Sequence, residues 1–224
     1  MSLRTTSRLI RIPQRTLPRP SILSNRRSIY IATSKLVPAP RIRMASIINA
    51  TAQAAHSAFA SLASASPIKP GDSVPDVEIK LGDLEGKVNF SKLSGKSVLV
   101  LVPGAFSPTC TSQVPSYIKQ YEAFKAKGVK DIYIIAINDM FVIQAWAEKL
   151  KGEEKSETVK FAGDDTGAFG TASGLVFDAQ AVFGGPRLKR GAVVIHDGKV
   201  VSVVVEPNPG EVTVSDANEV LKNL

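Results

Sequence analysis

Two hydrophobic patterns alternate along residues 70–224 of this 224-residue chain. Short runs that are apolar throughout, or apolar at every second position, predict β-strands. These runs cover residues 77–81, 97–102, 132–137, 158–161, 191–195 and 199–205. The last two flank the turn sequence His196-Asp197-Gly198, so we expect them to pair as a β-hairpin.

The longest helical pattern follows the strand predicted at 97–102. Apolar residues recur there on one face of a helix, at Val114, Tyr117, Ile118, Tyr121 and Phe124. Gly128 stands where a C-terminal cap belongs, which predicts the end of this helix. Pro115 lies inside it and predicts a kink early in the helix, because proline removes a backbone donor.

Three further helices complete the pattern, at residues 139–150, 167–173 and 216–223. Asn138 or Asp139 is expected to cap the first of these and Gly152 to close it, while Ser215 is expected to cap the last. The order strand, helix, strand, helix, hairpin, helix predicts parallel pairing with right-handed crossovers, together with an antiparallel hairpin. The fold class we expect is therefore α/β, a mixed sheet flanked by helices on both faces.

Charge is distributed unevenly along the chain. Residues 1–71 hold eleven of the 28 Lys and Arg and none of the 20 Asp and Glu, so the net charge of +8 belongs to this leader. Residues 72–224 carry a net charge of −3 and lack the basic face that a nucleic-acid-binding domain needs. The sequence also has no uncharged apolar run of the roughly 18 residues that a membrane-spanning helix requires.

The N-terminal sequence predicts a targeting signal rather than a folded domain. Residues 1–43 are rich in Arg and Ser and lack acids, which is typical of a mitochondrial transit peptide; a disordered basic tail is the alternative. Residues 44–69 are read as an Ala/Ser-rich linker, and the folded domain as 70–224. Met44 provides a second start for a cytosolic form, and the C-terminal Lys222-Asn223-Leu224 only loosely resembles a peroxisomal signal.

The chain has a single cysteine, Cys110, between the strand at 97–102 and the helix that follows it. One cysteine cannot form an internal disulfide, and with only two histidines it cannot complete a four-ligand zinc site of Cys and His. It is either a small buried hydrophobe or a nucleophile. Its place at the start of a helix favours the nucleophile, because the free N–H groups and the positive dipole end stabilise a thiolate there.

The residues around Cys110 fit a nucleophilic site. Ser107 lies three residues earlier and places a hydroxyl near the sulfur, and Pro103 stiffens the loop. Arg187 and Arg190 are the only arginines of the predicted domain. Arginine offers a fixed charge and a rigid fork of donors, which suit a sulfur anion and a polar substrate. Arg190 leads directly into the hairpin, whereas Arg187 is expected to be a loop or surface charge.

The sequence from Pro103 to Cys110, PGAFSPTC, resembles the Pro-x-x-x-Thr/Ser-x-x-Cys signature of the peroxiredoxins, in particular the fifth mammalian class and its fungal relatives. Further matches follow in order at 125–129, 138–142, Trp146, 164–170, 187–190 and 205–207. The resemblance implies a thioredoxin-like fold, with Ser107 at the position of the first cysteine of thioredoxins. It also implies a thiol peroxidase that reduces hydrogen peroxide and alkyl hydroperoxides without a cofactor or metal.

Roles for individual residues follow from the same resemblance. Cys110 is implied to be the peroxidatic nucleophile, which becomes a sulfenic acid. Ser107 is implied to hydrogen-bond the peroxide oxygens, and Arg190 to stabilise the thiolate and the leaving oxygen. Pro103 is implied to shield the sulfur from water.

Other residues have less certain assignments at this level. Thr109 and Phe183 are expected to contact the substrate, although Phe183 and Trp146 have core packing as the default for aromatic residues. The acidic pair at 164–165 looks like a metal ligand set, but turn and capping roles fit it better. His196 is expected to be exposed in the hairpin turn.

Residues 111–224 contain no second cysteine, so a sulfenic acid at Cys110 cannot be resolved within the chain. We therefore expect a one-cysteine cycle with an external thiol reductant: glutathione with a glutaredoxin, or a thioredoxin. Relatives often dimerise, so a homodimer is expected, and pairing of two Cys110 residues across it is the alternative to the external thiol. The alternative function is a redox sensor or chaperone-like binding protein without turnover. Neither a nucleic acid nor a membrane is expected as a partner.

Overall fold

The computed structural model describes residues 66–152 and 159–224. The predicted transit peptide, residues 44–65 of the predicted linker, and Thr158 lie outside the described residues. The strands are β1 (Glu78–Leu81), β2 (Lys87–Asn89), β3 (Lys96–Leu101), β4 (Val129–Ala136), β5 (Val159–Gly163), β6 (Val176–Phe177), β7 (Arg187–Leu188), β8 (Gly191–His196) and β9 (Lys199–Val205). The helices are α1 (Pro108–Lys119), α2 (Tyr121–Ala126), α3 (Met140–Lys151), α4 (Ala168–Ala172), α5 (Gln180–Phe183) and α6 (Ala217–Lys222), with a 3₁₀ turn at Phe90–Lys92.

Seven of the strands form one mixed sheet, in the order β2-β1-β5-β4-β3-β8-β9. β3, β4 and β5 run parallel, joined by crossovers that contain helices, and β8 pairs antiparallel with both β3 and β9. The predicted α/β class with a mixed sheet is therefore confirmed. β3 lies between β4 and β8, so the strand that leads to Cys110 is held by hydrogen bonds on both edges.

The sheet has a hydrophobic layer on each face. Val98 and Val100 of β3 point to the face covered by α1, α2, α3 and α6. Leu99 and Leu101 alternate with them and point to the other face, where the 3₁₀ turn, α4 and the small β6–β7 sheet pack. Helical segments lie on both faces as expected, although those on the second face are short. Among the described residues, every helix is too short or too polar to cross a bilayer.

The hairpin prediction is confirmed, with one change at its turn. Asp197 and Gly198 form the two-residue connection and both have positive φ, 47° and 71°, as in a type I′ turn. A side chain at Gly198 would meet the backbone of Ser91, so the turn needs glycine there. His196 is the last residue of β8 rather than a turn residue, and its side chain is exposed as expected.

Two predictions about helices need correction. The helix expected up to Gly128 is divided into α1 and α2, because Gln120 leaves helical geometry at φ −97° and ψ 9°. Beyond this break, the Tyr121 hydroxyl donates to the backbone carbonyl of Lys130 at 2.9 Å, so α2 is attached to β4 by a bond that periodicity cannot show. Pro115 lies within α1, and the kink expected there stays a prediction.

The prediction that Ser215 caps the last helix is also wrong. Asp216 caps α6, since its carboxylate accepts from the N–H of Asn218, whereas Ser215 is fully buried and bonded elsewhere. The cap predicted for α3 is confirmed at Asp139, whose carboxylate accepts from the N–H of Val142. The sequence pattern missed β2, β6, β7 and α5, because two to four residues are too few to establish a period.

Candidate active site

Cys110 is the third residue of α1, and its side chain is fully buried. Ser107 caps the helix: its hydroxyl oxygen accepts from the Cys110 N–H at 3.4 Å, and its carbonyl accepts from the Thr111 N–H at 2.9 Å. Pro108 occupies the first helical position, where proline costs no hydrogen bond. The local sequence thus starts a helix at the end of β3 and sets the sulfur in its first turn, at the positive end of the helix dipole.

Arg190 reaches the sulfur from the start of β8. Its Nη2 donates to Cys110 Sγ at 3.2 Å, and its Nε donates to the carbonyl of Pro209 at 2.9 Å. The side chain is only 2% exposed, although it is the longest and most polar that the site contains. Its backbone is held as well, because its carbonyl accepts from the N–H of Glu206 at 2.8 Å.

A chain of buried polar groups lies behind the guanidinium. Nη1 of Arg190 donates to Oε1 of Gln113 at 2.6 Å, and Nε2 of Gln113 donates to the hydroxyl of Ser215 at 2.9 Å and to its carbonyl at 3.0 Å. The Ser215 hydroxyl donates in turn to the Glu206 carboxylate at 2.7 Å. Since a carboxylate and a carbonyl only accept, this chain requires the nitrogen of the Gln113 amide to face Ser215 and its oxygen to face Arg190.

Glu206 is the anionic end of this chain and is itself well bonded. Burial raises the pKa of Glu206, but four hydrogen bonds from Thr213 and Ser215 more than offset it, so that its pKa lies below the usual range. The Tyr117 hydroxyl donates to the Ser215 carbonyl at 2.6 Å, and burial raises the pKa of Tyr117 far above its ordinary value. Tyr117 is therefore a neutral donor.

The Arg190 guanidinium forms no ion pair with a carboxylate of the described residues. Its partners at Gln113 and Pro209 are neutral amide oxygens. A buried cation is unfavourable unless an anion lies near it. A thiolate at Cys110, whose sulfur lies 3.2 Å from Nη2, would meet this requirement.

A pocket of about 270 Å³ opens over this site. Its lining residues are Pro103, Ser107, Pro108, Thr109, Phe177, Ala179, Val182, Phe183, Arg190, Pro209 and Gly210. Arg190 and Ser107 supply its polar groups next to Cys110, and most of the remaining wall is apolar. Cys110 itself is fully buried and is not one of the lining residues, but its sulfur lies 3.2 Å from Nη2 of Arg190, which does line the pocket.

The structure brings together the residues that the sequence singled out. Pro103, Ser107, Arg190, Thr109 and Phe183 all line the pocket above Cys110, and the Thr109 hydroxyl donates to the carbonyl of Gly210 at 3.3 Å. Trp146 does not line it. Its ring is buried with its edge against Phe161, and its Nε1 donates to the Thr111 hydroxyl at 3.2 Å, so its role is in the core.

Sequence reasoning missed the supporting groups Gln113, Ser215 and Glu206. Gln113 follows Cys110 by three residues on the same helix, a spacing that places both side chains on one face and was the available signal. Glu206 lies in the matching segment 205–207, but nothing in the sequence places Ser215 beside it. These contacts join positions about a hundred residues apart, such as Gln113 and Ser215, so only the fold reveals them.

The acidic pair at 164–165 has structural roles, as expected. Asp164 is buried and accepts from the N–H groups of Phe169 and Gly170 at the start of α4; burial raises its pKa, which these bonds oppose. Asp165 pairs with Lys80 at 2.7 Å. No group of three or more His, Cys, Asp or Glu in the described part of the chain is arranged to hold a metal ion.

Comparison with known proteins finds relatives of this chain. The Redoxin family pattern matches residues 69–221. Peroxisomal membrane associated protein 20 of Schizosaccharomyces pombe is 42% identical over 154 residues, which are 69% of this chain and 97% of that protein. The mitochondrial Peroxiredoxin-2F of Arabidopsis thaliana is 39% identical over 129 residues, 57% of this chain and 63% of that protein. The crystal structure of reduced Prx3 of Vibrio vulnificus in complex with H₂O₂ is 34% identical, with a TM-score of 0.63 over 70% of this chain and 99% of that one.

Proposed function

This chain belongs to the redoxin family, as a peroxiredoxin, and we propose that Cys110 is the nucleophile with which it reduces peroxides at the expense of thiols. A peroxiredoxin is a thiol-dependent peroxidase, an oxidoreductase with peroxide as the electron acceptor. The observation that carries the assignment of Cys110 is the 3.2 Å contact between its sulfur and Arg190 Nη2, in a buried site at a helix start. An adjacent guanidinium and a helix N-terminus are two features that convert an ordinary thiol into a reactive thiolate.

The reaction is a displacement at oxygen. The Cys110 thiolate attacks one peroxide oxygen, an S–O bond forms as the O–O bond breaks, and the second oxygen leaves with the bonding electron pair. That oxygen takes a proton and becomes water or an alcohol. The cysteine, oxidised by two electrons, becomes a sulfenic acid, and the peroxide is reduced by two electrons.

Arg190 and Ser107 are placed to stabilise this transfer. Arg190 lines the pocket as well as contacting the sulfur, so its guanidinium lies where negative charge moves from sulfur to the leaving oxygen. The Ser107 oxygen already accepts from the Cys110 N–H, which leaves its own proton to donate to the peroxide. The buried ring of Pro103 closes one side of the pocket and limits the access of water.

The substrates we propose are hydrogen peroxide and alkyl hydroperoxides. Both present the same O–O bond to Ser107 and Arg190. The apolar remainder of the pocket suits the organic part of a hydroperoxide, as at Phe177, Val182 and Phe183. To Thr109, which also lines the pocket, we assign contact with the part of the substrate that lies away from the sulfur.

The return to thiolate needs an external thiol. Cys110 is the only cysteine in the sequence, so no second cysteine of the chain can attack the sulfenic acid. A thiol condenses with the sulfenic acid to give a mixed disulfide and water, and a second thiol then releases the Cys110 thiolate and leaves with the first as a disulfide. We propose glutathione with a glutaredoxin, or a thioredoxin, as that reductant. A homodimer is in keeping with the exposed apolar side chains of Phe106 and Val182 near the pocket.

The decisive experiment measures peroxide consumption by the wild-type chain and by Cys110→Ser, with each thiol system supplied separately. Turnover by the wild type alone supports the proposal. A single slow oxidation without turnover indicates a redox sensor instead. Mass spectrometry after one equivalent of peroxide separates the routes of reduction. One added oxygen that is removed by thiol supports the one-cysteine cycle, whereas a dominant Cys110–Cys110 dimer contradicts it.

The mitochondrion is the compartment we propose. The Arg- and Ser-rich residues 1–43 and a mitochondrial relative support it, whereas another relative is named for the peroxisome. Fluorescence imaging of the full chain and of a form that starts at Met44 tests the assignment. The assignment is supported if the full chain is mitochondrial and the form that starts at Met44 is not. A peroxisomal signal from both forms contradicts it.

A further inference from the structure

Arg187, expected to be a loop or surface charge, packs against the wall of the catalytic pocket. Its guanidinium lies 5.4 Å from the centre of the Phe183 ring, within the range of a cation–π contact. Its Nη2 donates to the backbone carbonyl of Phe183 at 3.0 Å, and its Nη1 donates to the carbonyl of Pro186 at 3.2 Å. Side chain and backbone of Phe183 are thus held by the same guanidinium.

The segment that Arg187 holds supplies much of the apolar wall. Four lining residues come from β6 and α5 or from between them: Phe177, Ala179, Val182 and Phe183. Arg187 lies opposite Phe177 in the two-stranded β6–β7 sheet, so one end of the segment is paired with the strand that carries it. This sheet has only two residues in each strand, so its own pairing stabilises the position of the wall only weakly.

The fit of Phe183 against the cysteine loop is close. A side chain at Gly104 would place its Cβ 2.8 Å from Cε1 of Phe183, so the ring packs directly on the backbone of the loop that precedes Cys110. The position of the ring therefore determines the width of the pocket on that side. If the Phe183 ring were free to rotate, the width of the pocket on this side would vary.

Arg187 is held in this position at some cost. Its Nε is buried and has no hydrogen-bond partner among the residues that the structure describes, and such orphaned donors are rare in proteins. The same atom is closed to a ligand by its burial, so it does not indicate a separate binding site. A lysine could supply charge here but not a flat group that stacks on a ring while donating to two carbonyls.

We propose that Arg187 is a positioning residue that fixes the Phe183 wall and thereby determines the selectivity of this enzyme between organic hydroperoxides and hydrogen peroxide. The inference rests on the proposed function of the pocket, but it concerns selectivity rather than turnover. Hydrogen peroxide has no organic part and needs only Cys110, Arg190 and Ser107. A hydroperoxide with an aromatic or alkyl group also needs the wall.

The test compares kcat/KM for cumene hydroperoxide and hydrogen peroxide in the wild type, Arg187→Met and Arg187→Lys. For Arg187→Met we expect about a fivefold loss with cumene hydroperoxide, mainly in KM, and less than about a twofold loss with hydrogen peroxide, the order expected when a cation–ring contact and its bonds are removed. The loss for Arg187→Lys with cumene hydroperoxide should be smaller than the loss for Arg187→Met. The matched control is Lys160→Met, which removes a cation 5.5 Å from the Tyr133 ring away from the pocket and should leave the selectivity ratio unchanged.

A double-mutant cycle with Phe183→Ala provides a second measurement. If Arg187 acts through this ring, its substitution should change the selectivity ratio little in the Phe183→Ala background. Equal losses with both peroxides, or additive effects in the cycle, would overturn the proposal. If Arg187→Met does not fold, Arg187→Lys carries the same cycle. Failure of the proposed function is distinct, because the wild type would then consume neither peroxide.

Discussion

Gln113→Leu is the most informative test of the polar chain behind the active site. Gln113 lies between Arg190 and Ser215 and contacts neither the sulfur nor the pocket. Leucine has nearly the same volume, so the substitution removes hydrogen bonds without leaving a large cavity. Ser215 keeps other partners, because its hydroxyl still donates to Glu206 and its carbonyl still accepts from Tyr117.

The magnitude follows from the group left without a partner. Arg190 Nη1 loses the acceptor now at 2.6 Å, and a lost hydrogen bond to a buried charged group costs about 1.5–3 kcal/mol. For a domain of this size, in which 1 kcal/mol shifts Tm by about 2–4 °C, we expect a fall in Tm of about 3–12 °C. The guanidinium is then free to turn from the sulfur, and a loss of about 1.4 kcal/mol in transition-state stabilisation would lower kcat/KM for peroxide about tenfold.

The assay must separate positioning from stability. Peroxide kinetics are measured well below the Tm of the variant, beside the rate of alkylation of Cys110 by iodoacetamide. Alkylation reports the thiolate but needs no guanidinium at a leaving oxygen, so it should fall less than peroxide reduction does. Gln144→Leu, which removes a surface bond from an amide to the Gly82 carbonyl, is the control and should change stability by less than about 0.5 kcal/mol. Unchanged peroxide kinetics in a folded Gln113→Leu protein would refute the reasoning.

Three further predictions follow from the site. Ser107→Ala removes the cap of α1, so thermal denaturation should show about 1 kcal/mol of lost stability and peroxide reduction should slow; Ser107→Thr should retain both, and full activity of the alanine variant would contradict the assigned role. The lowered pKa of Glu206 means that its carboxylate stabilises the fold above the pKa it has when unfolded, and that this is lost as the pH falls through the lower, folded value. Glu206→Gln should therefore have a lower free energy of unfolding at neutral pH. In denaturant titrations, this free energy should also fall less steeply with decreasing pH than it does in the wild type, and an equal pH dependence would count against the reasoning. Gly104→Ala should displace the Phe183 ring and reduce kcat/KM for cumene hydroperoxide more than for hydrogen peroxide; equal effects would show that the ring does not shape the pocket.

Prediction from sequence succeeded where a local pattern was long enough to carry information. The buried run before Cys110 forms the interior strand β3, and the periodic helix after Asp139 forms α3 with the expected cap. It failed for β6, β7 and α5, each of two to four residues, although these segments shape the apolar wall. Ser215 was assigned to a cap on its residue type, but burial beside Glu206 gave it a different set of partners.

By itself, the sequence determined the class of fold, the solitary cysteine at a helix start, and the candidates Ser107 and Arg190. These are local properties: a period of two or 3.6, a cap, a motif, a count of one residue type. Only the tertiary structure decided that Arg190 lies 3.2 Å from the sulfur, that Gln113 and Glu206 support it, and that Arg187 holds the wall of the pocket. Each of these depends on which strands pair and in what register, and the cooperative packing of the whole sheet determines that pairing.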